Sequence, residues 1–234
     1  MPWGTGEGYD GTQFSGRNYS DALFSLPGIK IKEVDFSAFP HISAAPENYK
    51  SDFFRWHILS TEGGLYSDID LLYYRPMNDL YFNQYDNKDI DCAICLQYAG
   101  NIIGFLLSAP QNGFFNKVFD ASINAFETTT YQAISAPLVN QLFPSEESIR
   151  EQIPELKFIN MPMDVVYALD HLNIPDIFQT NDMGRLTDKT IGIHWYAGHP
   201  VSQHFNNLLN EDNYQGFRSI ITNKIFDVLG GSKD

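Results

Sequence analysis

The 234-residue sequence predicts an α/β fold in which a mostly parallel mixed sheet is flanked by helices. Hydrophobic residues make up 43% of the chain and charged residues 19%, which is the composition of a globular protein. Strand-like and helix-like segments alternate along the chain, as is typical of layered α/β folds. No linker-like stretch or repeat interrupts this alternation, so we expect a single domain over residues 1–234.

Residues 1–28 form an atypical, Gly-rich start. They include Gly6-x-Gly8-x-x-Gly11, which fits a dinucleotide-binding pattern. That pattern requires a preceding strand, and the few residues before Gly6 leave no room for one, so we expect a loop. Residues 29–36 then alternate between apolar and charged side chains, which predicts a strand.

A helix is predicted to begin at Pro46, because proline favours the first helical turn. Tyr49, Phe53 and Trp56 follow at a spacing that places them on one apolar stripe. The Gly63-Gly64 pair is expected to end this helix, since glycine favours the left-handed conformation found after helix ends. The apolar run over 65–74 predicts a buried strand.

The rest of the chain continues the alternation of strands and helices. Strands are predicted over 90–96, 101–107, 157–160 and 190–195, and helices at 115–126, 137–143, 146–152 and 214–228. Cys92 and Cys95 lie in the first of these strands. Two cysteines do not complete the four ligands of a structural zinc site, so we expect them to pack in the core.

The charge of the chain excludes several classes of partner. Asp and Glu number 29 against 15 Lys and Arg, for a formal net charge of −14. So acidic a chain repels a phosphate backbone, so no nucleic-acid partner is expected. The chain has no polybasic membrane anchor, no signal peptide and no apolar run near the ~20 residues of a membrane span. These features predict a cytoplasmic protein without a membrane span.

Two pairs of charged residues point to chemistry. Asp52 and Arg55 are neighbours if they lie on a helix. Asp68 and Asp70 point to the same side if they lie in a strand. Two carboxylates on one side repel each other, and Mg²⁺ or Mn²⁺, which prefers oxygen ligands, relieves that repulsion. A bound cation would also supply the positive charge that an acidic protein needs to hold a diphosphate.

These residues stand in two short motifs, Ser51-Asp52-x-x-Arg55 and Gly63-Gly64-x-Tyr66-x-Asp68-x-Asp70. The motifs resemble those of glycosyltransferases with the DXD sugar-binding region. That group includes yeast-type initiating α-mannosyltransferases, bacterial capsular-polysaccharide transferases and, more distantly, clostridial glucosylating toxins. The resemblance implies a GT-A-type fold with a donor- and metal-binding core over residues 46–110.

The resemblance also implies roles for individual residues. Asp52, Arg55 and Gly64 would belong to the site of the donor sugar. Asp68 would contact the donor ribose or sugar, and Asp70 would bind the metal that bridges the two donor phosphates. Asp70 and Asp68 are therefore the predicted catalytic residues.

Weaker matches lie downstream. Asn101 is either a further donor-site residue or a polar residue at a strand end. Ser135-Ala-Pro137 resembles a turn of the family and also fits a helix that simply starts at proline. His194, in Ile193-His-Trp-Tyr196, is implied as a ligand of the metal or a contact of the diphosphate, with structural packing as the alternative. His199 is a rival to it.

The function predicted from the resemblance is metal-dependent transfer of a sugar from a nucleotide-diphosphate donor, a UDP- or GDP-sugar, with retention of the α configuration. The acceptor would be a hydroxyl group of a glycan, a lipid-linked sugar or a protein. Two alternatives remain at this point. One is a glycoside hydrolase that uses paired carboxylates. The other is a non-catalytic sugar- or metal-binding module of transferase descent.

Overall fold

The computed structural model of the protein describes residues 18–77, 90–97, 100–125 and 133–230. The helices are α1 (Ser20–Phe24), α2 (Pro40–Ser43), α3 (Glu47–Thr61), α4 (Gly113–Ile123), α5 (Ala136–Leu142), α6 (Glu146–Gln152), α7 (Ile174–Gln179), α8 (Pro200–Leu208) and α9 (Ile220–Val228). The strands are β1 (Gly64–Ser67), β2 (Leu71–Tyr73), β3 (Cys92–Gln97), β4 (Gly100–Ser108), β5 (Phe158–Asn160) and β6 (Gly192–His194). Across these ranges, every helix is too short or too polar to cross a membrane.

The strands form two sheets. One has four strands in the order β1-β4-β3-β5, and the other consists of β2 and β6. The predicted α/β class, with a mixed sheet flanked by helices, is confirmed, and the arrangement is consistent with a GT-A-type fold. The expectation of a mostly parallel sheet is wrong for the described strands, because β3 with β5 is the only parallel pair among them. The reason is local: β4 begins three residues after β3 ends, and so short a connection returns the chain antiparallel.

The four-stranded sheet separates two hydrophobic clusters, as the alternation of side chains along a strand requires. Leu106 of β4 packs with residues of α3, α4 and α5 on one face. Its neighbour Phe105 packs on the other face with Cys95 and Tyr167. Cys92 and Cys95 are both free and fully buried, so the prediction that they pack in the core is confirmed.

Helix α3 confirms the prediction made from its apolar stripe. Pro46 precedes its first turn, and Tyr49, Phe53 and Trp56 are all at most 3% exposed. Gly63 follows its last turn with a φ of +70°. The stripe therefore anchors α3 to the core.

Three predicted elements differ from the structure. Residues 29–36 are irregular instead of forming a strand, and Ile29 and Ile31 are exposed, because within the described ranges no strand pairs with them. The strand expected over 65–74 is two strands, since Ile69 and Asp70 form a turn that carries the chain from one sheet to the other. The C-terminal helix begins at Ile220 and not at 214, because Ser219 caps it.

Some features were not anticipated or fall outside this description. Helices α1, α2, α7 and α8 were not predicted, because the apolar residues of each are too few to reveal a helical period. The glycine pattern at Gly6 to Gly11 lies outside the described residues. In the described part of the Gly-rich start, α1 has no buried residue.

Replacing Gly63 with alanine should destabilise the fold more than replacing Gly64. Both residues have positive φ, at +70° and +101°, which costs an alanine about 1–3 kcal/mol. At Gly63 the added Cβ would also lie 2.6 Å from the carbonyl oxygen of Ser108, whereas at Gly64 it would meet no described atom within 4 Å. Urea unfolding of the two variants measures the difference, and equal losses of stability would contradict the crowding at Gly63.

Candidate functional site

The two aspartates of the DXD motif lie in the turn between β1 and β2. The backbone N–H of Asp68 donates to the carbonyl of Gly104 at 2.7 Å, which ties it to the four-stranded sheet. The backbone carbonyl of Asp70 accepts from the N–H of Trp195 at 3.0 Å, which ties it to the two-stranded sheet. The expectation that both aspartates share one strand is wrong, yet their carboxylates do come together. The turn achieves this by joining the edges of two sheets.

Asp70 is held by two hydrogen bonds. Its Oδ1 lies 2.9 Å from Nε2 of His194, and its Oδ2 accepts from the backbone N–H of Ala197 at 2.7 Å. Burial alone would raise the pKa of Asp70, but the bond to His194, its charge and the N–H of Ala197 outweigh burial and lower the pKa. Asp70 is therefore ionised at neutral pH.

An unusual backbone conformation follows His194. Tyr196 has a φ of +52°, which is uncommon for a residue other than glycine. The turn at this position directs the N–H of Ala197 to Asp70. The ring of Tyr196 also packs on that of His194, with 4.1 Å between the centroids. Strain of this kind persists only where surrounding contacts enforce it. Here the strained backbone places the N–H of Ala197 where it hydrogen-bonds Asp70.

Arg55 links helix α3 to the DXD turn. Its Nη2 donates to Oδ1 of Asp68 at 3.0 Å and to the hydroxyl of Tyr66 at 3.1 Å. Its Nη1 lies 3.2 Å from Oδ1 of Asp52. Burial alone would lower the pKa of Arg55, but the charges of Asp68 and Asp52 raise it, so the guanidinium stays charged. One buried cation is thus shared by two carboxylates.

Arg55 stabilises the charged form of Asp52 by less than burial destabilises it. Its side chain is nearly inaccessible, and burial raises its pKa to about 6. The charge of Arg55 and a hydrogen bond with Ser135 oppose that rise, while the charge of Asp68 adds to it. Arg55 pairs with Asp68 as well as with Asp52. The buried negative charge of Asp52 is therefore incompletely compensated.

Asp68, Asp70 and His194 fit a divalent cation. Each offers one ligand atom, and these atoms lie within 4.8 Å of one another. Two carboxylate oxygens suit Mg²⁺ or Mn²⁺, and an imidazole nitrogen can join them. The lowered pKa of Asp70 keeps that carboxylate in the charged form that metal binding requires.

The other predicted residues are placed differently. Gly64 begins β1 with positive φ, and a Cβ added to it would meet no described atom within 4 Å. Asn101 lies in β4, but its side chain is outside the described part of the structure. Ser135, before α5, hydrogen-bonds Asp52. His199 precedes α8, where its Nδ1 accepts from the N–H of Val201, and it does not belong to the cluster of Asp68, Asp70 and His194.

Gly104 and Tyr167 were missed by the sequence analysis. A Cβ on Gly104 would lie 2.6 Å from Oδ2 of Asp68 and 3.2 Å from the hydroxyl of Tyr167. The carboxylate of Asp68 therefore occupies the space that any larger residue at 104 would need. A glycine inside an apolar strand is a signal for such a close approach. No comparable signal in the sequence marks Tyr167.

A cavity of about 200 Å³ lies elsewhere, beside α3. Phe36, Phe39, Phe53 and His57 are among the residues that line it. The charged cluster, which consists of Asp52, Arg55, Asp68, Asp70 and His194, contributes no residue to the wall of this cavity. The chemistry of the cluster, not the size of this cavity, therefore identifies the site.

Comparison with known proteins supports the same region. Residues 30–86 match the model of a family described as a glycosyltransferase sugar-binding region containing a DXD motif. The matched range includes α3 and both aspartates of the turn, and it ends before Gly104 and His194. Searches of curated proteins and of solved structures gave no match. The similarity supports binding of a sugar donor and transferase activity in general.

Asp52→Asn should stabilise the protein at neutral pH. In the folded chain the pKa of Asp52 is about 6, against an ordinary 3.8, so the folded state binds the proton more tightly than the unfolded state does. The contribution of Asp52 to stability therefore falls as pH rises through this window. The variant lacks this titration and should gain on the wild type by at most about 3 kcal/mol between pH 4 and 7.

Urea unfolding at a series of pH values measures this difference. Asp120→Asn, at an exposed position of α4, is the matched control because it removes the same charge from the surface. A difference between Asp52→Asn and the wild type that does not change with pH would contradict the assignment.

Gly104→Ala should weaken cation binding while the fold is retained. The added Cβ would displace the carboxylate of Asp68, which lies 2.6 Å away, and disturb its contact with Arg55. Changes next to metal ligands typically cost about 10–100-fold in affinity. Calorimetric titration with Mn²⁺ measures the effect. Gly216→Ala, where no described atom lies within 4 Å of the new Cβ, serves as the control. An unchanged affinity in Gly104→Ala would show that Asp68 is not a ligand.

Proposed function

We propose that the protein is a metal-dependent glycosyltransferase that moves a sugar from a UDP- or GDP-sugar to a hydroxyl acceptor with retention of configuration. One observation carries this proposal. Asp68, Asp70 and His194 bring three ligand atoms within 4.8 Å of one another, and Asp68 also pairs with the buried Arg55. Family similarity over residues 30–86 supports the same activity. We also propose that residues 1–234 form one domain whose donor- and metal-binding core is 46–110.

Asp70 and His194, with Asp68, are the residues that would hold a Mn²⁺ or Mg²⁺ ion. When bound, the ion would supply the positive charge that stabilises the leaving diphosphate. The chain itself is strongly acidic, with a formal net charge of −14, and Arg55 is already engaged by two carboxylates. A diphosphate therefore needs positive charge beyond that of the described site residues.

Arg55 is suited to hold the donor sugar. Its Nε is buried and makes no hydrogen bond with any described residue, and its Nη1 has only the 3.2 Å ion pair with Oδ1 of Asp52. A buried N–H group of a charged guanidinium is costly when it makes no hydrogen bond, and a sugar oxygen is an acceptor that would satisfy it. Asp52 and Asp68 fix the guanidinium from two sides, so its remaining donors have a set direction. Gly64 and Asn101 are proposed to complete the donor site.

In the proposed reaction, the bond from the anomeric carbon to the diphosphate breaks, and an acceptor oxygen bonds to that carbon on the same face, so that configuration is retained. The acceptor proton leaves with the diphosphate or passes to solvent. Positioning and charge stabilisation supply the rate enhancement, since fixed groups need little reorganisation. The charge of the chain favours a neutral or cationic acceptor, such as a glycan, a lipid-linked sugar or a protein side chain.

A glycoside hydrolase is disfavoured by the state of the carboxylates. Such an enzyme needs a carboxylic acid with a raised pKa beside the scissile bond. Asp70 has a lowered pKa, and both of its oxygens are hydrogen-bonded. Asp52 has a raised pKa, but it is buried against Arg55. The remaining alternative is a binding module without turnover. Assays of donor hydrolysis and transfer distinguish it from the transferase.

Asp70→Asn should abolish metal-supported turnover while the fold survives. The change keeps the shape of the side chain and removes the charge that holds the ion, so Mn²⁺ affinity should fall by about 100-fold or more, consistent with the several kcal/mol such charge is worth. Mn²⁺ binding is followed by electron paramagnetic resonance. Donor hydrolysis and transfer are followed with a panel of UDP- and GDP-sugars, with Mn²⁺ and then with chelator.

Asp120→Asn is again the control, and it should match the wild type in both measurements. Full activity in chelator, or an unchanged Asp70→Asn, would refute the metal site. Binding of donor and metal by the wild type without turnover would instead identify a non-catalytic module.

A further inference from the structure

Tyr167 is fixed behind the candidate metal ligands. Its side chain is 1% exposed, and its backbone N–H donates to the carbonyl of Met163 at 2.7 Å. Its ring meets that of His194 edge to face, with 5.6 Å between the centroids. The preceding residue, Val166, accepts from the backbone N–H of His194 at 3.1 Å. The position of the phenol ring is therefore set by β6 and by the hydrophobic cluster that contains Phe105 and Cys95.

The hydroxyl of Tyr167 has no hydrogen-bond partner in the part of the chain that the structure describes. Such a group loses its hydration on burial and regains nothing, which is costly. A phenylalanine would pack with Phe105 and Leu71 in the same cluster without that cost. Packing therefore accounts for the ring of Tyr167 and leaves its hydroxyl unexplained.

The location of the hydroxyl indicates what it faces. It lies 3.2 Å from the point where a Cβ of Gly104 would be, and Oδ2 of Asp68 lies 2.6 Å from the same point. The hydroxyl and that carboxylate oxygen thus border one small region over the backbone of Gly104. The other oxygen of Asp68 accepts from Arg55. The hydroxyl is therefore next to the carboxylate of Asp68, which pairs with Arg55 and is also a candidate metal ligand.

We propose that Tyr167 is a positioning residue of this site, whose hydroxyl donates a hydrogen bond to an oxygen atom of the bound ligand beside Asp68. This inference rests on the proposed function. The shared chemistry is an acceptor oxygen, which comes either from the nucleotide-sugar donor or from a water molecule bound to the cation. A tyrosine hydroxyl keeps its proton at neutral pH, so it can donate to either.

The test compares Tyr167→Phe with Tyr49→Phe. Tyr49 is also buried, at 3% exposed, but its hydroxyl donates to the carbonyl of Ala125 at 2.8 Å. Without ligand, Tyr167→Phe should have a midpoint of thermal unfolding no lower than that of the wild type, because it loses no bond. Tyr49→Phe should unfold at a lower temperature, because it loses one.

The ligand arms use Mn²⁺ alone, Mn²⁺ with UDP or GDP, and Mn²⁺ with UDP- or GDP-sugars. Affinity in Tyr167→Phe should fall about 10-fold, the effect of one hydrogen bond to a charged or strongly polar group, while Tyr49→Phe keeps the wild-type affinity. A loss already present with Mn²⁺ alone assigns the bond to a metal-bound water. A loss that appears only with nucleotide or sugar assigns it to the donor.

Two results would overturn the inference while leaving the proposed function intact. Wild-type affinity of Tyr167→Phe in every arm would show that the hydroxyl does not contact a ligand. A drop in unfolding temperature as large as that of Tyr49→Phe, measured without ligand, would show that the hydroxyl already has a structural partner. If the wild type itself binds nothing in any arm, the proposed function fails first and this inference falls with it.

Discussion

The turn Asp68-Ile69-Asp70 is held at its two ends by backbone hydrogen bonds to different sheets. Asp68 bonds to Gly104 of the four-stranded sheet, and Asp70 bonds to Trp195 beside the two-stranded sheet. The distance between the two carboxylates therefore depends on how the sheets sit against each other. His194 arrives with the second sheet, and Arg55 reaches the first from helix α3. The rest of the site is built around this junction.

Burying this many charges is costly, and the structure offsets the cost unequally. The charge of Arg55 is compensated by two carboxylates, those of Asp52 and Asp68. Asp70 is compensated by His194 and by a backbone N–H. Asp52 is left with a raised pKa, which means that the folded protein would be more stable with this group neutral. Stability given up at such positions is typical of sites arranged for binding rather than for folding.

Several buried polar groups at the candidate site have no described hydrogen-bond partner. Nε of Arg55, Nδ1 of His194 and the hydroxyl of Tyr167 are buried, and no described residue hydrogen-bonds them. Nη1 of Arg55 has only its ion pair with Asp52. In an ordinary core each would be a liability. Around one cluster of candidate metal ligands, they are consistent with the donor and metal site that we propose.

Much of this was determined by local sequence. The helix after Pro46 follows from its apolar stripe, and the pairing of Asp52 with Arg55 follows from helical spacing. The two DXD aspartates were expected to come together, and they do, although the expected single strand does not exist. Short-range patterns reveal such features because a helical turn spans only a few residues.

The tertiary structure decided what the local patterns do not contain. Residues 29–36 alternate like a strand, but a strand forms only where another chain segment supplies hydrogen bonds, and among the described residues none does. The approach of Asp68 to Gly104, and of Tyr167 to His194, joins residues far apart in the chain. The pairing of β1 with β4 produces the first approach, and the backbone bond between His194 and Val166 produces the second. Local patterns cannot show either one, because contacts at such separations depend on the whole path of the chain.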